Sequence, residues 1–310
     1  MNYSRRDFGK IAMAAVPAVA ALSVPALSVP AEAAAPNSKI TGVQIGVISY
    51  SFRQGVPKAD LPRVIAGLGI NSVELMSGDA EALAGAPAAT DKAALAAWRA
   101  AATPTTFEAV RKKFDDVGVE LQILCYNMGV AITDDEIDYA FRMARATGVR
   151  GISSSSTIST AKRASVFAAK HKLLWAGHGH NNITDPEQLS NEDSFDKMLA
   201  FNDYMRANLD LGHFNQTGED PVAFMQRHSD RILNIHLKDS TAPKVFGTVS
   251  NTLTVWGDGN APIRQALIMM RRERWPFLAN IEFEYAIPAG SDAVTEVGKC
   301  LDFVKNCLAT

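Results

Sequence analysis

The chain has 310 residues, with 31 Lys and Arg against 33 Asp and Glu, and 47% of its residues are hydrophobic. The near-zero net charge and the lack of a basic block argue against nucleic acid as a partner. Three cysteines, Cys125, Cys300 and Cys307, are too few for a disulfide scaffold and read as small core residues.

The first residues carry an address. Ser4-Arg5-Arg6-Asp7-Phe8-Gly9-Lys10 matches the twin-arginine export pattern. A weakly apolar, Ala-rich stretch follows from 11 to 29, and Ala31-Glu32-Ala33 and Ala33-Ala34-Ala35 offer small-residue cleavage sites. Pro17, Pro25 and Pro30 interrupt a long helix there, and the modest hydrophobicity argues against stable anchoring. The expectation is a removed signal peptide over 1–35, a periplasmic location and no stable membrane anchor. The remaining 36–310 is the size of one (βα)8 domain and ample for a large core.

Short apolar runs follow at 43–51, 72–76, 121–126, 149–153, 173–176, 207–211, 232–237 and 278–283. Helical patterns separate them. Thr133-Asp134-Asp135-Glu136 opens a helix to about Thr147 with Gly148 as its stop, and Gly218-Glu219-Asp220-Pro221 opens another. Most strand-to-strand intervals have the length of a βα unit. Two are longer, 77–106 and 240–262, and both follow strands, so loops that build a pocket are expected there. Gly257-Asp258-Gly259 in the second reads as a tight turn. This is the pattern of a single-domain α/β chain folded as a (βα)8 TIM barrel, with no second domain or linker.

Acids and histidines end the last four runs: His178-Gly179-His180, Asp210-Leu211-Gly212-His213, His236-Leu237-Lys238-Asp239 and Glu282-Phe283-Glu284. In a parallel barrel the carboxyl ends of all strands meet at one mouth, so these groups converge as a divalent-metal site does. Alternation along a strand puts His178 and His180 on one side. His171 and His228 fall in helical stretches and read as surface or capping residues. Ser153 to Ser156 reads as a polar strand end that touches sugar hydroxyls.

These residues resemble the xylose isomerase-like TIM-barrel superfamily, the sugar phosphate isomerase/epimerase group. The resemblance runs through Ile45-Gly46-Val47-Ile48-Ser49-Tyr50-Ser51-Phe52, Gly69-Ile70-Asn71-Ser72-Val73-Glu74-Leu75, Asp210-x-x-His213, His236-x-Lys238-Asp239, Trp256-Gly257-Asp258-Gly259 and Ile281-Glu282. It implies one divalent metal held from strands five to eight by His178, Asp210, His236 and Glu282, with Glu284 the rival on the last strand. The family's usual strand-five ligand is Glu. Here it is replaced by His178, or by His180. Two imidazoles with two carboxylates suit Mn, Zn, Co or Fe, with Mg disfavoured.

Such a metal polarises a sugar carbonyl so that a neighbouring C–H loses its proton to a side chain. Glu282 is the expected base, with His180 and His213 as candidates for the second proton carrier. Glu74, Lys238 and Trp256 are expected to bind substrate, Lys238 at an oxyanion or hydroxyl; Glu74, at the mouth end of the second strand, either does so or forms a salt bridge. An isomerase or epimerase for an unphosphorylated sugar heads the readings. A lyase or hydrolase of 3-keto-glycosides is the alternative, and a non-catalytic sugar-binding partner subunit the third. The expected partner is a small-molecule carbohydrate, and assembly into a homo-oligomer is left open.

Overall fold

Eight parallel strands close on themselves in a computed structural model, described over residues 35–245 and 247–309. All but the last residue of the expected signal peptide over 1–35 lies outside the described residues. A two-residue strand, β1 (Lys39–Ile40), runs antiparallel to β2 (Val43–Ile48). The barrel then continues through β3 (Ser72–Met76), β4 (Glu120–Cys125), β5 (Gly151–Ser155), β6 (Leu174–His178), β7 (Met205–Asp210), β8 (Ile232–Leu237) and β9 (Leu278–Ile281). Strand β9 pairs back onto β2, with Gly46 opposite Asn280. Strands in such a barrel are covered on both sides, which is why they read as continuous apolar runs. All six residues of β8 are buried.

Helices fill every crossover: α1 (Leu61–Gly67), α2 (Ser77–Leu83), α3 (Lys92–Ala101), α4 (Pro104–Asp115), α5 (Asp134–Thr147), α6 (Ile158–His171), α7 (Glu192–Leu199), α8 (Leu211–Gln216), α9 (Pro221–His228), α10 (Ile263–Glu273) and α11 (Ala293–Leu308). Helix α5 shows why they form. Ile137, Ala140, Phe141 and Ala144 recur at helical spacing and are all buried. Thr133 and Glu136 cap each other's backbone N–H at 3.2 and 2.8 Å, and Gly148 ends the helix at φ 67°.

Three expectations are corrected. Residues 49–52 turn as a 3-10 helix instead of continuing the first strand. The stretch 77–106 is not a loop but holds α2, α3 and the start of α4. The 149–153 run begins its strand at Gly151 and carries it to Ser155; Val149 N still bonds back to Ala144 O of α5, and Arg150 N makes the first contact with β4, at Gln122 O. Strand β1 is too short to show as a run.

The segment 240–262 is irregular, with an isolated bridge between Ser240 and Leu253. The buried Asp239 carboxylate clamps it, accepting from the backbone N–H of Ser240, Gly257, Gly259 and Ala261 at 2.8 to 3.2 Å. Gly257, at φ +99°, makes the tight turn expected there. All three cysteines are buried, Cys300 and Cys307 on α11. No described helix is long and apolar enough to cross a membrane.

Candidate metal centre

Four adjacent strands deliver the site. His178 ends β6, Asp210 ends β7, His236 is the fifth residue of β8 and Glu282 directly follows β9. The strand register puts Asp210 beside His236 and His236 beside Asn280. One donor atom from each of His178, Asp210, His236 and Glu282 lies within 4.8 Å of the others, and all four residues are buried. His236 Nδ1 is 2.9 Å from Glu282 Oε2 and 3.9 Å from Asp210 Oδ2, and His178 Nε2 is 3.9 Å from the same Oδ2. Asp210 divides its carboxylate. Oδ1 caps α8 by accepting from His213 N at 2.8 Å, while the buried Oδ2 faces His178, His236 and the Lys238 ammonium. Two imidazoles and two carboxylates, all buried and with one donor atom each this close together, fit a divalent metal ion.

Lys238 supplies positive charge at this place. Its Nζ is 2.8 Å from Asp210 Oδ2, 2.8 Å from Glu282 Oε2 and 2.6 Å from Glu284 Oε2, in a side chain 2% exposed. Burial opposes charge on Lys238, but the three carboxylates outweigh it and hold the ammonium well above the usual lysine range. Burial likewise pushes Glu282 up, while Lys238 and His236 pull it well below the usual carboxylate range. His236 is raised well above the ordinary imidazole range, since Glu74 and Glu282 overcome its burial. His178 goes the other way, driven down by burial and by His236 and His180. Glu284 lies outside the four-residue set and is the third carboxylate on Lys238.

Below the ligands lies a polar layer that sequence reasoning did not find. Glu74 on β3 is fully buried and takes Nδ2–H from Asn234 and Asn280, each at 2.8 Å, and the Ser153 hydroxyl. It also takes His236 Nε2–H at 2.8 Å. Carboxylate-bound imidazoles of this kind hold a metal-ligating histidine in one orientation. Of the two roles expected of Glu74, the ion pair is the one seen, to His236, while full burial under the site keeps it from a substrate. A signal was present. Asn208, Asn234 and Asn280 each stand two residues before a ligand, so alternation puts them on the same inward face one layer down. Gly46 makes room for this layer, since a Cβ there would lie 2.2 Å from Asn280 Oδ1.

No family model matches the chain. Over 121 residues it is 31% identical to the inosose dehydratase of Clostridium beijerinckii, a match covering 31% of this chain and 40% of that one. The inosose dehydratase of Lacticaseibacillus casei is 31% identical over 118 residues, covering 30% and 39%. The chain thus spans less than half the length of the curated relatives it matches. Among solved structures, the probable 3-DHS dehydratase AsbF of Bacillus anthracis superposes with TM-score 0.63 at 14% identity, covering 85% of this chain and 99% of that one. A xylose isomerase domain protein from Alicyclobacillus acidocaldarius gives 0.62 at 13% identity over 86% and 100%. The fold is a xylose isomerase-like TIM barrel. A crystal structure of the IOLI protein with a bound zinc atom matches it with TM-score 0.62 at 12% identity, over 85% and 98%.

On this xylose isomerase-like barrel the rim above the ligands is built from His180 and His213, both half-buried, with ring centroids 5.3 Å apart. His180 lies past the end of β6 and joins the site without entering the four-ligand set, its ring 4.8 Å from that of His178. Burial, then His213 and Lys238, bring the His180 imidazole down to about 4. His213 Nδ1 donates to Gln216 Oε1 at 3.0 Å, and its Nε2 is 3.2 Å from Lys238 Nζ.

The remaining expectations are sorted by the geometry. Lys238 is enclosed by carboxylates. Trp256 packs edge-to-face on Phe303 of α11 at 5.9 Å and anchors its loop. Of the four serines, Ser153 binds Glu74, Ser154 and Ser156 bind the Met128 backbone, and Ser155 lies 3.5 Å from His180 Nε2. His171 and His228 end their helices, but as inter-helix contacts to Asp138 and Glu192 rather than free surface groups.

Proposed function

We propose that this chain is a metal-dependent lyase of the dehydratase type, acting on an unphosphorylated keto derivative of a sugar or cyclic polyol. The observation that carries the reading is the asymmetry of the site. One ligand carboxylate, Glu282, stands free of any capping role, and the strand-five position across from it is an imidazole. Epimerisation between two carboxylates lacks its second one. Elimination needs one base and one acid, which Glu282 and the rim supply. The relatives named as dehydratases support the lyase over the isomerase that the family resemblance put first.

A divalent ion held by His178, Asp210, His236 and Glu282 would polarise the substrate carbonyl and acidify the adjacent C–H. Two imidazoles and two carboxylates suit zinc, manganese, cobalt or iron, and the zinc of a structural neighbour supports zinc first. The ionised Glu282 accepts the proton from carbon. Lys238 adds a fixed positive charge beside the oxygen that becomes negative. The C–O bond at the next carbon then breaks. A rim histidine, His180 or His213, in its imidazolium form gives a proton to the departing oxygen and returns to neutral imidazole, so that the group leaves as water or an alcohol with a C=C bond left conjugated to the carbonyl. The twin-arginine pattern supports a periplasmic setting, where substrates without phosphate fit.

The test is direct. Purified protein loaded with zinc or manganese is incubated with an inosose, a 3-keto-glucoside and a free ketose, and products are followed by NMR and by the ultraviolet absorbance of the conjugated ketone. Metal-dependent elimination, lost in Glu282→Gln, is the expected result. Interconversion of aldose and ketose without elimination would return the reading to an isomerase.

A further inference from the structure

The seam where the barrel closes is unusual at its mouth end. Strand β2 ends at Ile48 and turns into a 3-10 helix over Ser49–Phe52, and its last pair with β9 is Val47 with Ile281. The ladder thus stops one residue short of Glu282. Side chains from the turn take over. Ser51 Oγ accepts Phe283 N–H at 2.9 Å and donates to Ile281 O at 3.3 Å, and Arg53 Nη1 donates to Phe283 O at 2.8 Å. We propose that Ser51 and Arg53 are positioning residues for Glu282 and Glu284, continuing the β2–β9 ladder with side-chain bonds so that the proton-accepting carboxylate is held in place.

Three observations carry this. Phe283 is the single residue between the two carboxylates, and each peptide unit is planar. Fixing its N–H fixes the peptide from Glu282, and fixing its C=O fixes the peptide to Glu284. Arg53 is itself held. Its guanidinium carbon lies 4.5 Å from the Tyr50 ring centroid and 5.8 Å from that of Phe283, and Nη1 also reaches Tyr50 O at 3.3 Å. Ser51 and Phe283 are buried, so losing the hydroxyl would leave the Phe283 N–H without a partner at a cost. The next residue but one is gripped as well: Tyr285 packs edge-to-face on Phe283 at 4.6 Å, and its hydroxyl donates to the buried Glu296 at 2.7 Å.

With Phe283 and Tyr285 fixed, Glu282 and Glu284 both reach Lys238, at 2.8 and 2.6 Å. They have separate tasks: Glu282 belongs to the four-residue set and Glu284 does not. A slip of the chain at Phe283 moves both carboxylates together. Misplacing a reacting group by about 1 Å can cost on the order of 100-fold in rate. The turn after β2, which contributes no residue to the four-residue set, thereby gains a task in the reaction.

Full-length protein stripped of metal is titrated with zinc by equilibrium dialysis, with circular dichroism to confirm that each variant is folded. Folded Arg53→Met and Ser51→Ala should bind zinc roughly 10–100-fold more weakly than wild type, the usual effect of losing a partner that orients a ligand. Arg53→Lys, which can still donate to the Phe283 carbonyl, should recover much of that affinity. Wild-type affinity in folded Arg53→Met, or Arg53→Lys no better than Arg53→Met, overturns the positioning role. The effect on turnover rests on the proposed function and is read separately at saturating zinc: kcat should fall while KM stays near wild type. A raised KM with unchanged kcat would overturn the placing of the base and make Arg53 a substrate contact instead. No elimination by wild type would count against the proposed function and leave the zinc affinities to decide the role of Ser51 and Arg53.

Discussion

His178 and Glu74 show how much of this site depends on what single side chains do to their neighbours. His178 stands where the family resemblance implies a Glu, and the structure gives it the same reach toward Asp210 and His236. His178→Glu should therefore keep one tightly bound ion in dialysis and gain trace ketose epimerisation, since a carboxylate then stands on each side of the substrate. Loss of the tight ion would mean that the imidazole is required. Glu74 acts from below by holding His236 Nε2. Glu74→Gln keeps the size but removes the charge, so metal affinity should fall by roughly 10–100-fold, the usual effect of losing such a partner. Unchanged affinity would show that the asparagine layer alone fixes His236.

Among the elements, the barrel strands tolerate least where two of them approach most closely. Gly46 on β2 faces Asn280 on β9, and Gly46→Ala would drive a methyl group to 2.2 Å from Asn280 Oδ1 and 3.0 Å from Ser72 O. Overpacking of this kind costs about 1–3 kcal/mol, and here it also displaces a donor to Glu74. Gly46→Ala should lower both the unfolding midpoint and the metal affinity. Thr133→Ala should cost about 1 kcal/mol through loss of the α5 cap and leave metal affinity unchanged, because the cap lies on the outer ring of helices. Equal metal loss in the two variants would mean that the site responds to stability in general.

For the whole molecule, acid should act partly through the helix ring. Burial pushes Asp138 on α5 up, but hydrogen bonds from Lys170 and His171, with Arg142 nearby at 3.2 Å, outweigh it and bring the carboxyl down to about 2. A carboxyl lowered on folding stabilises above its unfolded value near 4, and that stability is lost as pH falls from about 4 toward 2. Solvent screening at this partly exposed group holds the contribution to about 1 kcal/mol or less, so Asp138→Asn should slightly flatten the stability profile in that window and lower stability above it. An unchanged acid limb in urea titrations would remove Asp138 from the account. Export is tested at the same scale. Replacing Arg5 and Arg6 together by Lys should keep the protein out of the periplasm, and normal periplasmic yield would refute the twin-arginine reading.

The barrel itself was legible in the chain because its strands are apolar on both faces and its helices carry their own caps, as in Thr133 to Gly148. These are local properties, so 72–76 and 232–237 are strands at the expected bounds. The convergence of His178, Asp210, His236 and Glu282 was legible for a related reason: polar residues at the carboxyl ends of parallel strands must meet at one mouth. What the string of residues left open is decided by distance across the barrel. Glu74 lies 134 residues from Asn208 and 206 from Asn280, and only closure of the sheet shows that they touch. The same closure surrounds Lys238 with three carboxylates and sets His178 between His236 and the rim imidazoles. Nothing in its neighbours along the chain encodes either fact, because both follow from which strands are adjacent and how far each side chain reaches inward.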